Sequence, residues 1–202
     1  LYSASKFSGI LDESKNSYKP DGPYSNTSYK IQIIGDKLWV SSGAREGRYN
    51  YPPSPIPDFG FYYYDGRQWI YPSYFINNPI SFNTLDVTAN PANNNEVFIA
   101  NYSQTTGQGI YKFNYNEANK DFDFTKYYQL STDFNLNRPV GLTFDNNNNL
   151  IGSMAYTVGT VDSSLLFYNK TNDDFVVSDV GIIAAAQKPI IADGIIWLPT
   201  PR

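Results

Sequence analysis

Apolar positions along this chain come in short runs divided by clusters of Asn, Asp and Gly, with no sustained helical spacing. The stretch FYYYDGRQWIYPS (61–73) shows the pattern in small. Its aromatic runs favour a pleated surface, and Asp-Gly between them predicts two strands joined by a two-residue turn. The same grammar recurs. IIGDKLWVSSG (33–43), NPANNNEVFIANY (90–102), FDNNNNLIGSM (144–154) and IIADGIIWLPT (190–200) each read as strand, polar turn, strand. A second word follows the first three: FGFYYYDG, GQGIYKFNY and SSLLFYNKT. A third closes each unit: RQWIYPS, FDFTKYYQL and DDFVVSDVG.

From Gly60 to Gly109 is 49 positions and from Gly109 to Ser164 is 55, near the period of a propeller blade. The expected fold is therefore all-β: a β-propeller, present as a partial ring of about four blades, each a four-stranded antiparallel meander. Complete blades are expected at about 29–75, 84–132 and 139–183, with partial blades at 1–28 and 187–202. Because the pattern opens and stops inside a unit, the 202 residues are expected to be one segment of a single, larger propeller domain. A β-sandwich would space its strands similarly, but its strands have no reason to recur in one fixed order. In this arrangement the run Phe61–Tyr64 is a strand buried on both faces, where alternation is lost. Trp39, Trp69 and Trp197, on second or fourth strands, are expected to fill the wedges between blades.

Composition narrows the chemistry. Neither Cys nor His occurs, which removes disulfides, thiol nucleophiles, Ser-His-Asp catalysis and the commonest zinc ligand. A net charge of -4 without a long basic run argues against binding nucleic acid through its phosphates. No run approaches the roughly 18 apolar residues of a membrane-spanning helix. No cofactor or metal is expected.

In a meander, loops alternate between the two ends, and here the loops after each second strand are long: 44–59, 101–108 and 155–163. Long loops on one end of a rigid scaffold collect binding residues. The richest, AREGRYNYPPSPIPDF (44–59), offers Arg45 and Arg48 to carboxylate or phosphate and Tyr49 and Tyr51 to sugar rings, with prolines stiffening it. Tyr102, Gln104 and Tyr156 are expected on the same face. These seven are the candidate ligand- or partner-binding residues; solvated loop residues packing on each other is the plainer alternative.

Other motifs yield less. DNNNNL (145–150) resembles a calcium loop, but lacks its sixth-position Gly and distal Glu and falls where every unit has its first turn. Asn26, Asn101 and Asn169 head glycosylation sequons, which an Asn-rich chain also writes by chance. Glu46, Asp58, Asp86 and Asp162 are the carboxylates a glycosidase would need to pair, and nothing in their spacing pairs them.

PDGPYSN (20–26), leading into DKLWVSSG, together with GIYKFN (109–114) and NNNLIGS (147–153), resembles the two-component-regulator-type propeller repeats of Bacteroidetes surface and periplasmic proteins. PDGPYSNTSYKIQIIGDKLWVSSG (20–43) and DGIIWLPTPR (193–202) look most similar to PorZ-like proteins of the type IX secretion system. The resemblance implies a non-catalytic scaffold or binding domain, in the periplasm or at the outer-membrane surface. Its implied contacts are with other proteins of a secretion complex and with glycan or lipopolysaccharide. The family's propeller has no catalytic residues to carry over. Two alternatives stay open: a periplasmic oligosaccharide-sensing propeller of a hybrid two-component regulator, and a propeller glycosidase or lyase.

Overall fold

The computed structural model describes residues 3–5, 9–14, 17–18, 22, 28–43, 59–78, 82–102, 107–130, 138–154, 163–182 and 187–199. Three short strands open the chain, β1 (Ser3–Ser5), β2 (Gly9–Leu11) and β3 (Ser17–Tyr18), paired in that order. Three four-stranded antiparallel meanders follow. The first is β4 (Lys30–Ile34), β5 (Lys37–Ser41), β6 (Phe61–Tyr64) and β7 (Trp69–Ile70). The second is β8 (Thr84–Asn90), β9 (Asn93–Asn101), β10 (Gly109–Asn116) and β11 (Asp121–Tyr128). The third is β12 (Pro139–Phe144), β13 (Leu150–Met154), β14 (Ser163–Asn169) and β15 (Asp174–Ile182). A hairpin of β16 (Ile190–Ala192) and β17 (Ile195–Trp197) ends it. The fold is all-β, with three four-stranded meanders flanked by three strands before them and two after, among the described residues.

Several turns are written in side chains that hold their own backbone, and others in residues at positive φ. Between β16 and β17, Asp193 and Gly194 both have positive φ, as a tight hairpin requires. DNNNNL is likewise a turn: the Asp145 carboxylate accepts from the backbone N–H of Asn147 (2.8 Å) and Asn149 (2.7 Å) and from Asn149 Nδ2 (2.9 Å). The turn after Tyr64 differs from the expected two residues. Tyr64 pairs with Trp69, so Asp65–Gly66–Arg67–Gln68 forms the loop, and Asp65 Oδ1 accepts from the N–H of Arg67 and Gln68. Asp65 caps the turn instead of merely bending it. NEANKDF and NKTNDDF repeat this device: Asn116 and Asn169 each accept from two N–H groups in their turns, which close on Lys120 and Asp173 at positive φ. The side-chain oxygen of the Asn169 sequon is thus used in the fold. Asn101 is fully buried, donates to Gly107 O (2.7 Å) and accepts from Asn83 N (2.8 Å), which leaves no room for a glycan.

The middle meander is packed on both faces. In β9, Val97 and Ile99 enter one core while Phe98 and Ala100 enter another. An unbroken apolar run is what such a strand requires. The first core lies between the first and second meanders: Trp39 stacks on Tyr63 (4.9 Å), and Phe61 meets Phe113 (5.6 Å) and Phe122 (5.4 Å) edge-on. Tyr62 points the opposite way, fully buried against Trp69 and Tyr71, with its hydroxyl 2.9 Å from Ser28 Oγ. The four-aromatic run is therefore buried on both faces. A five-residue helix not anticipated from the sequence, α1 (Ser73–Asn77), drops Phe75 into this core. Gly60 makes way for it, since a Cβ there would lie 2.3 Å from the Phe75 ring. The second core joins the second and third meanders through Phe98, Ile110, Tyr128, Leu142, Leu150 and Leu166. Trp39 fills an inter-sheet wedge and Trp69 is half-buried, but Trp197 is 57 % exposed: no sheet covers the outer face of β17 among the described residues.

Candidate functional site

Four successive units converge on one buried carboxylate. β8 carries a bulge between Thr84 and Asp86, and β12 carries one at the matching place, between Pro139 and Gly141. Such bulges re-aim side chains. The pairings then align four residues: Lys30 opposite Ser41, Asp86 opposite Ala100 and Gly141 opposite Ser153. Lys188 completes the row, because the Ile190–Trp197 pairing continued back by two residues sets it opposite Pro199, whose carbonyl accepts from Gln187 N. One tier of four first strands therefore reads Lys, Asp, Gly, Lys. The links between sheets also repeat. Ser41 Oγ donates to Leu85 O (3.2 Å), the residue before Asp86; Ser153 Oγ donates to Gln187 O (2.6 Å), the residue before Lys188.

Asp86 is fully buried. Lys30 Nζ lies 3.2 Å from its Oδ1 and Lys188 Nζ 3.0 Å from its Oδ2. Leu142 N–H donates to Oδ2 (2.8 Å), and Gln32 Nε2 approaches Oδ1 at 3.4 Å. Gln32 Oε1 in turn accepts from Lys188 Nζ (3.0 Å). A buried carboxylate needs this many donors, since leaving a charge unpaired away from water is expensive. Gly141 is required by the same geometry: a Cβ there would sit 2.4 Å from Lys188 Cα. Burial holds the Lys30 ammonium below its ordinary value; Asp86 opposes this and Lys188 adds to it. Beside the tier opens a cleft of about 790 Å³, lined by Tyr29, Lys30, Thr143, Lys188, Ile190 and neighbouring residues.

A second charged cluster ties the second and third meanders together away from the tier. The Asp173 carboxylate accepts from the hydroxyls of Tyr128 (2.6 Å) and Tyr168 and pairs with Lys126 Nζ (3.1 Å). Lys112 Nζ stands 3.7 Å from it and 2.9 Å from Glu96. Partial burial pushes the Asp173 carboxyl upward, yet the two tyrosine hydroxyls and the lysines outweigh it and hold the group well below its ordinary value of 3.8. A carboxyl that titrates lower folded than unfolded stabilises the fold above its unfolded pKa, and that contribution is lost as pH falls toward the folded pKa. Thermal melts from pH 6 to about 3 are therefore expected to fall more steeply for the unsubstituted chain than for Asp173→Asn. Parallel curves would count against the cluster's role.

Of the sequence-derived candidates, Arg45, Arg48, Tyr49, Tyr51, Gln104 and Tyr156 lie outside the described residues, as do Glu46, Asp58 and Asp162. Tyr102 is described, and its ring is fully buried beneath the Arg138 guanidinium (5.6 Å), beside Leu85 and Val140. In that position it packs two bulges together and offers no surface to a ligand in solution. Among the described residues no group of three His, Cys, Asp or Glu is placed to hold a metal ion, and no helix is long and apolar enough to cross a membrane. No protein-family model matches the chain, and no curated protein matches it. The residues that sequence reading missed are Lys30, Gln32 and Lys188. Their signal was available: stacking the repeats on their second strands puts a charge, where an inner strand should be apolar, at one position of three units.

Proposed function

We propose that this chain is a segment of a β-propeller that works as a non-catalytic binding scaffold at the periplasmic or outer-membrane surface, in the manner of PorZ-like secretion components. The tier carries the architectural part. Equivalent residues of three consecutive meanders and the hairpin that follows them meet at Asp86, and equivalent serines fasten one unit to the next, as expected when blades surround an axis. The same cluster favours scaffold over enzyme. The Asp86 carboxylate is fully enclosed and engaged by two ammonium groups, so it is spent on joining sheets.

The long loops of one end supply the binding surface in this reading, with 44–59 foremost. Arg45, Arg48 and Tyr49 replaced together by Ala are expected to weaken association with anionic lipopolysaccharide, read by surface plasmon resonance, by about tenfold or more. The fold, read by thermal melting, is expected to stay intact. Unchanged affinity would remove this loop from the binding surface. Electron microscopy of the natural full-length protein tests the architecture directly: a radial ring of sheets is expected, and two facing sheets would overturn the proposal.

A further inference from the structure

We propose that the cleft beside the Lys30–Asp86–Lys188 tier binds one carboxylate group, that of an acidic sugar such as a uronate. Charge is the first argument. Asp86 contributes one negative charge and the two lysines contribute two positive, and among the described residues no other carboxylate pairs with either. The tier therefore holds one surplus positive charge in a partly enclosed place. Both ammonium side chains keep some exposure, 29 % for Lys30 and 24 % for Lys188, and both line the cleft. Each has three N–H donors. Lys30 meets one acceptor, Asp86 Oδ1, which leaves donors on it for an incoming oxygen; Lys188 reaches Gln32 Oε1 and both Asp86 oxygens, the Oδ1 contact being long at 3.4 Å. An arriving anion would also relieve the mutual repulsion that helps to depress Lys30.

The shape and walls of the cleft choose among anions. Its volume of about 790 Å³ lies within the range of small-molecule sites and suits one or two sugar rings. Tyr29 and Ile190, 40 % and 55 % exposed, offer an apolar wall on which the C–H face of a pyranose can lie. Thr143 also lines the cleft and adds a hydroxyl to its residues. A carboxylate matches the single surplus charge. A phosphate monoester, carrying about -1.5 to -2 near neutral pH, would exceed it. None of this depends on the sheets closing into a ring.

The test is isothermal titration of the full chain with glucuronate, glucose and inorganic phosphate. Glucuronate is expected to bind with a Kd of about 1 mM, with glucose and phosphate about tenfold weaker or worse. Raising the salt concentration is expected to weaken glucuronate binding, since the lysine heads are partly exposed. Thr143→Trp fills the cleft while leaving every residue of the tier unsubstituted and is expected to cost about tenfold in affinity. If that variant fails to fold, Ile190→Trp, at an exposed position, narrows the same cleft. Absence of glucuronate binding, glucose or phosphate binding as tightly, or a cleft-filling variant that binds unchanged would each overturn the proposal.

Discussion

Replacing Lys30 and Lys188 together by Met, with Asp86 left in place, is expected to lower the unfolding free energy by about 3–5 kcal/mol. The cost comes from the partner left behind. Asp86 has no exposed surface, and the Leu142 N–H and Gln32 amide cannot solvate a full negative charge alone. Adding Asp86→Asn to the double variant removes that charge and is expected to recover much of the loss, because a neutral amide needs only hydrogen bonds. Urea unfolding of the three chains decides it. If the double variant is as stable as the parent, the tier is not where the units are joined. The ion cluster is thus costly to break without being a large source of net stability, since charges taken from water repay most of their attraction in desolvation.

Phe61→Ala is expected to cost about 3–5 kcal/mol, comparable to the double-lysine variant but by a different route. The ring is fully buried and touches Trp39, Phe75, Phe113 and Phe122, which belong to two meanders and to α1. Truncation loses the transfer energy of the ring and leaves a cavity that this rigid aromatic cluster collapses into poorly. Val176→Ala, 56 % exposed on β15, is the control and is expected to change stability by less than about 0.5 kcal/mol. Equal effects at the two positions would mean that the interface between the first two meanders does not hold the fold together.

How much of this was legible depends on the range of the interaction. The meanders were readable because each is local: apolar runs and Asn, Asp and Gly turns act over a few residues, and Asp145, Asn116 and Asn169 do in the fold what their composition announces. The double-sided burial of Phe61–Tyr64 was readable for the same reason, since an alternation that vanishes is a local pattern. The length of the Asp65 turn was not, because the choice between two and four residues rests on where Tyr64 finds its partner. Helix α1 begins where the word RQWIYPS (67–73) ends, in residues the repeat left unread; its single buried residue, Phe75, is held by a wedge between sheets.

The candidate site divides in the same way. Repetition announced that units would be stacked, and with it that equivalent residues of different units would have equivalent surroundings. It did not announce the bulges that turn Asp86 and Gly141 to one level, nor that Lys188 would meet a carboxylate 102 positions earlier in the chain. Taken alone, the sequence determined the strand grammar, the turn chemistry and the absence of Cys- and His-based catalysis, because propensity and composition act locally. Only the tertiary structure decided that two lysines share one buried carboxylate and that Tyr102 is core and not surface. Those outcomes depend on which sheets face each other, and inter-sheet packing is a long-range choice that no short stretch of residues encodes.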